Sequence, residues 1–356
     1  MNNLILHLSL IENIGPTTIN KILLKNDNEI NLYDLSISEI QRIFGLTFEK
    51  ANLIFSGLKQ KDFLEKELNL IEKNKIKNLT ILDSAYPKLL KEIEVPPAVL
   101  YYQGNLNLED SLSIVGSRAA TGYGQRVIKN LIPELVSNNW SIISGGALGI
   151  DSFAHQETVN SKGKTVAVLG SGLLNIYPKQ NQNLFEKIIE FDGAIVSPFN
   201  LNMEPMPGNF PARNRIVSGL SRGTLVIQAA KKSGALITAK YALDQGREVF
   251  AVPGLMDDPL SEGCHYLIKN GAKLVASVED ILQEFDITYN QTTIYQAAVP
   301  KENHPILDAC FQPSSIEDLH HITGIEIDLL QIQLFDLQIE GKIKQNFAGL
   351  WERSLV

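Results

Sequence analysis

The chain has 356 residues, 44% hydrophobic and 20% charged, a balance that suits a soluble globular protein of two or three domains. Its formal net charge of -8 excludes a body coated in basic surface for duplex DNA, so any nucleic-acid site is expected to be a local basic pocket. No apolar stretch approaches the roughly 20 residues of a membrane span. Met1 to Leu10 lacks the basic start of a secretory signal, and Cys264 and Cys310 are too few for a disulfide framework, so a cytoplasmic setting without a membrane is expected.

Up to about residue 78, Leu4, Leu8, Ile11, Ile19, Ile22, Ile40, Ile43, Leu53 and Ile54 recur at three- and four-residue spacing, which predicts a helical domain over 1–78 of the helix-hairpin-helix or SAM-like kind. Within it, Gly15 is expected to take an unusual backbone angle and Pro16 to start the next helix. Such a turn could place its N–H groups against a DNA phosphate. It reads equally well as a helical hairpin without a ligand, because the following helix offers only Lys21 and Lys25.

From Leu79 to Asn107 the chain is punctuated by Pro87, Pro96 and Pro97, as in edge strands leading into a second domain. Short apolar runs then begin at Ser113, Ser141, Thr165, Ala194, Thr224 and Glu248, separated by helical stretches. Apolar strands alternating with helices predict an α/β fold, an extended Rossmann-like domain over 79–285 with a parallel sheet covered on both faces. Residues 286–303 are polar and aperiodic, a linker. Beyond it, helices over about 304–311, 315–322 and 326–340 precede strands at 342–346 and 350–353 turning at Ala348 and Gly349, the order of a winged helix. The third helix carries Glu326, Asp328, Asp336 and Glu340 with no Lys or Arg, a face that repels phosphate and points to protein contact rather than DNA reading.

The strand ends carry the function. Loops at Gly116-Ser117-Arg118, Ser144-Gly145-Gly146-Ala147, Gly170-Ser171-Gly172, Phe210 to Arg215 and Ser233-Gly234-Ala235 are expected to gather into one rim of free backbone N–H groups that binds an anion. Arg118, Arg213 and Arg215 add guanidinium forks, and Phe210 beside Asn214 adds a flat face for a base, the pairing that single-stranded nucleic acid needs. One arginine of the pair Arg213 and Arg215 is expected to tie loops together instead, through internal carboxylates. Lys179, after Tyr177 and Pro178, either reaches the same rim or is a solvated lysine, and Lys231 and Lys232 add charge close by. Asp151 and His155, four apart on a helix, are read as structural rather than as metal ligands, and neither metal nor cofactor is expected.

Val115 to Arg118, Ser144 to Asp151 with Ala154 and His155, Ala167 to Leu173 with Tyr177 and Pro178, Phe210 with Arg213 to Arg215, Ser233 to Ala239, and Gly246-Arg247 with Val252 to Gly254 together resemble the DNA-processing protein A (DprA, also called Smf) family. The resemblance implies a non-enzymatic protein that binds single-stranded DNA, forms a homodimer through its Rossmann-like domain, and loads the RecA recombinase onto incoming strands in natural transformation. Carried over residue by residue, the family's phosphate pocket falls on Gly116, Ser117, Arg118, Ser144, Gly145, Gly146, Phe210, Arg213, Asn214 and Ser233, with Lys179. Pro198 after Ser197, and Gln228, depart from the family's glutamates, and these losses either sharpen the rim's pull on phosphate or remove tethers for its arginines.

Two rival readings use the same fold. A nucleotide phosphoribohydrolase-like enzyme needs a glutamate beside the second glycine loop, and Gly234 to Asp244 contains none. A sensor would bind a small nucleotide and signal through the C-terminal helices.

Overall fold

The computed structural model describes residues 2–26, 30–285, 305–310, 314–346 and 349–353. They divide into two compact units, Met1–Thr292 and Thr293–Val356.

Five helices open the first unit: α1 (Asn2–Leu10), α2 (Pro16–Lys25), α3 (Ile37–Phe44), α4 (Phe48–Leu58) and α5 (Lys61–Lys73). Their ends follow local chemistry. Pro16 stands in the first turn of α2, and α3 begins in a capping box of Ser36 with Glu39 and stops at Gly45 in the left-handed region. Gly15 does not have the special geometry expected of it: at φ −90 and ψ 176 it is extended backbone open to any residue. The left-handed position of that turn is Asn13, at φ 63. Lys21 donates to the Gly45 carbonyl, so one of the two cations of α2 is engaged within the helices themselves.

The chain then lays down β1 (Lys77–Thr80), a short helix α6 (Lys88–Lys91), β2 (Val99–Gly104), β3 (Ser111–Val115), α7 (Gly122–Ser137), β4 (Ser141–Ser144), α8 (Ile150–Asn160), β5 (Thr165–Val168), α9 (Gln182–Glu190) and β6 (Ala194–Ser197). It continues through α10 (Asn209–Gly219), β7 (Gly223–Val226), α11 (Gly234–Asp244), β8 (Glu248–Ala251), α12 (Glu262–Lys269), β9 (Lys273–Leu274) and α13 (Glu279–Leu282). All six predicted apolar runs are strands of one sheet ordered β1-β2-β6-β5-β4-β3-β7-β8-β9. It is parallel from β6 to β9, while β2 pairs antiparallel with β6 and with β1. The strand order reverses direction at β3, which has β4 on one side and β7 on the other.

The side chains divide with the two-residue period of a strand. Leu112, Ile114, Leu225 and Phe250 pack with Ile128, Leu131, Ile132 and Leu135 of α7, whereas Val115, Val226 and Ala251 face Ile216, Val217 and Ala239 of α10 and α11. The N-terminal helices share a third cluster with the sheet, in which Leu4, Ile5 and Leu8 join Val99, Ala167, Phe185 and Ile195. Glu67 of α5 accepts a hydrogen bond from the backbone N–H of Leu201, tying the helices to the loop after β6.

In the second unit, α14 (Pro305–Ala309), α15 (Ile316–Thr323) and α16 (Ile327–Ile339) precede an antiparallel pair, β10 (Ile343–Gln345) and β11 (Trp351–Arg353). Ile306, Leu319, Leu330, Leu334 and Ile343 form its core. The linker expected over 286–303 and the turn residue Ala348 lie outside the described residues.

Candidate nucleic-acid interface

At the carboxyl ends of β3 and β7, where the strand order turns, lies a cleft of about 610 Å³. Gly116, Ser117 and Arg118 come to it from the loop after β3, Phe210, Arg213 and Asn214 from the first half of α10, and Ser233 from the start of α11. Seven of the positions read from the sequence are thus brought together from three distant stretches.

Phe210 is where the loops converge. The guanidinium of Arg118 stands 5.7 Å from the centre of its ring, and Tyr177 lies tilted against it with centroids 5.7 Å apart. The loop after β5 passes so close that a Cβ on Gly170 would stand 2.7 Å from Phe210 Cδ1, so only glycine leaves the ring its seat. Tyr177, quoted from the sequence only as part of the family's motif, stands beside the cleft against Phe210 and is 43% exposed.

Arg213 sits beneath the β4–α8 loop, 4% exposed, yet among the described residues its guanidinium makes no hydrogen bond and no ion pair, and its Nε is buried without a partner. Burial brings its pKa down to about 10, with the Asp151 charge pulling upward and the Arg118 charge pushing further down. Asp151 balances part of this buried charge, yet the guanidinium makes no hydrogen bond to it, and an anion in the cleft would supply the acceptor that is wanting. Asp151 lines the cleft too, but one of its carboxylate oxygens accepts from the backbone N–H groups of Gly145 and Ala147, which ties it to its own loop. Burial pushes its carboxyl up from the ordinary value, against Arg213 and those N–H groups.

His155 bonds to Thr165 through Nδ1 at 2.7 Å, not to Asp151, and burial with the Arg213 charge takes its pKa down to about 3. Among the described residues no group of three or more acids, histidines and cysteines could hold a metal ion.

Several expected positions are elsewhere. Arg215 points away from the cleft and donates to the carbonyl of Val95; it does tie segments together, but through backbone rather than a carboxylate. Ser144 is fully buried with its hydroxyl on the Ile114 carbonyl. Gly145 supports Arg213 from behind, and Gly146 packs against Phe185 with its carbonyl bonded to Asn181, so neither lines the cleft. Lys179 is exposed and outside the lining. Part of the expected rim of N–H groups is spent: Ser117 N donates to Gln228 O at 2.7 Å, Gly172 N to Met203 O, and Gly145 N and Ala147 N to Asp151. Positive charge in the cleft comes mainly from guanidinium groups.

Gln228 is a bracket for the first loop. Its side-chain oxygen accepts from Thr121 N at 3.0 Å and its Nε2 donates to Thr121 Oγ1, while its backbone carbonyl holds Ser117. It tethers Thr121, not an arginine. Ser197, before Pro198, donates its hydroxyl to the Ser171 carbonyl.

Fold and cleft place the chain among α/β proteins with a large, mainly parallel sheet and a guanidinium- and aromatic-lined site at the strand ends. Residues 77–286, more than half of the chain, match the family described as DNA recombination-mediator protein A, and the chain belongs to that family. It is 44% identical over 217 residues to the DNA processing protein DprA of Streptococcus pneumoniae, covering 60% of this chain and 76% of that one. The X-ray structure of DprA from that organism superposes with a TM-score of 0.71 at 37% identity, over 80% of this chain and 98% of the other. A structure of DNA processing protein A from Helicobacter pylori, described for its single-stranded DNA binding mode, gives a TM-score of 0.54 at 28% identity, over 60% of this chain and 98% of that one.

Proposed function

We propose that the cleft binds single-stranded DNA, with Arg118 and Arg213 holding successive phosphates and Phe210, flanked by Tyr177, contacting a base. The observation that carries this reading is Arg213, a buried guanidinium with an open cleft before it and no acceptor among the described residues. Charge-assisted bonds from such a preorganised fork are the strong kind, and a phosphate supplies the missing acceptor. Stacking on an aromatic needs a base that has left its helix, so a flexible strand fits the cleft and a stiff duplex does not.

DNA processing in natural transformation, loading of RecA onto the bound strand and pairing of two copies complete the reading. Its support for these is family membership. The C-terminal unit, read as a winged helix, serves protein contact: the described face of α16 carries Asp328 and Asp336 and no basic residue.

Anisotropy titrations of labelled single strand and matched duplex test the core of this reading. Single strand is expected to bind more tightly, with a log-log salt slope of about -0.7 per phosphate neutralised. Equal affinity for the two would count against it. Release of free base from a nucleoside monophosphate would favour the phosphoribohydrolase alternative, for which the carboxylate in the cleft lining is Asp151, held through one oxygen by loop amides.

A further inference from the structure

Beside the cleft runs a second groove of about 600 Å³, along the outer side of α11, with Lys231, Lys232, Leu236, Lys240, Tyr241 and Asp244 in its lining. Ser233, Gly234 and Ile237 line both depressions, so the two meet at the first turn of α11. All three lysines are exposed, and among the described residues none makes an ion pair or a hydrogen bond. Lys231, Lys232 and Lys240 face one carboxylate in this groove, Asp244, on a chain whose net charge is -8. Ile237, 40% exposed, and the half-buried Tyr241 give the groove an apolar floor.

We infer that this groove carries the continuation of the strand held in the cleft, its phosphates running past Ser233 to Lys231, Lys232 and Lys240, and its sugars and bases lying over Ile237 and Tyr241. The ligand class follows from the lining. Exposed lysines over an apolar floor attract an extended polyanion with flat apolar parts, whereas a small anion would need the buried donors that only the cleft provides. Direction follows too, because the groove begins where the cleft ends. This inference rests on the cleft being the strand site.

The test uses the full chain, a homopolymeric single strand just long enough to fill the cleft, and one several times longer. Replacing all three lysines (Lys231→Gln, Lys232→Gln, Lys240→Gln) is expected to leave the short strand's affinity unchanged and to flatten the long strand's log-log salt slope by about 2, roughly 0.7 for each lysine lost. An unchanged slope on the long strand, or an equal loss on both lengths, would overturn it. So would an equal loss on duplex, which would make the groove a general basic patch. Arg213→Ala, run in parallel, separates the two ideas: loss of both lengths supports the cleft reading, and full retention of short-strand binding removes that reading whatever the lysines do.

Discussion

Gly145 lies so close over the guanidinium of Arg213 that a Cβ at this glycine would run into Nη1 and stand 2.7 Å from the Asp151 carboxylate. The glycine therefore acts on the cleft without lining it. Gly145→Ala is expected to push the guanidinium out of place and to weaken single-strand binding nearly as much as Arg213→Ala, by about ten- to a hundredfold, the worth of one or two charge-assisted bonds. Circular dichroism with anisotropy checks this: retained helix content with lost binding is the expected outcome, and unaltered affinity would mean that Arg213 is not a ligand.

Arg118 and Phe210 should separate into charge and stacking. Arg118→Ala is expected to weaken strands of every sequence alike and to flatten the log-log salt slope by about 0.7, because phosphate carries no base identity. Phe210→Ala is expected to cost about 1–3 kcal/mol while leaving the slope near its original value. Salt titrations of the two variants on several homopolymers decide whether these roles are reversed.

Gln228 brackets the loop that presents Arg118. Gln228→Leu puts an apolar side chain against the partly buried Thr121 N and removes its acceptor, which is expected to cost about 1 kcal/mol of stability, read by urea unfolding. Binding is expected to fall less than with Arg118→Ala, since the loop is loosened rather than stripped of its cation.

Acid should weaken the fold through His155. Its pKa falls from 6.5 to about 3 on folding, so between these values the unfolded chain holds a proton that the folded chain does not. The stabilisation is full above the ordinary value and is lost as pH falls toward the folded one. From about pH 7 to about pH 5 this group accounts for about 2 kcal/mol. Asp151, pushed up by burial, works in the opposite sense, so the measurement is the difference between the wild-type chain and His155→Gln in urea midpoints across that range. A pH dependence equally steep in both would assign the effect to another group.

The sheet was legible because its strands are buried on both faces and so appear as unbroken apolar runs, Thr165 to Val168 being one. The convergence of Arg118, Phe210, Arg213 and Ser233 followed from parallel strand ends sharing one edge. Arg215 was separable in principle: two positions along a helix is about 200° of rotation, so if Arg213 faces the cleft, Arg215 cannot. What no local pattern carried was the use made of the loop amides. That Ser117 N is spent on Gln228 O, or that Asp151 takes the Gly145 and Ala147 amides, depends on contacts that no local pattern names, and these amides are lost to the rim. The contact of Tyr177 with Phe210 was hidden for a similar reason, since nothing near Tyr177 in the chain names its neighbour.

Strand β3 is flanked by a near and a far segment of the chain that follows it: Leu112 lies level with Ile142 on one side and with Gly223 on the other. Closing the second of these loops is slow, because a large excursion of chain must be ordered before any contact repays it. The cleft comes into being only at that step, so a nascent or partly unfolded chain offers DNA two separated arginines and no grip. Occupancy of the site would thus report that the whole sheet has been completed, and a bound strand would in turn hold it closed by mass action.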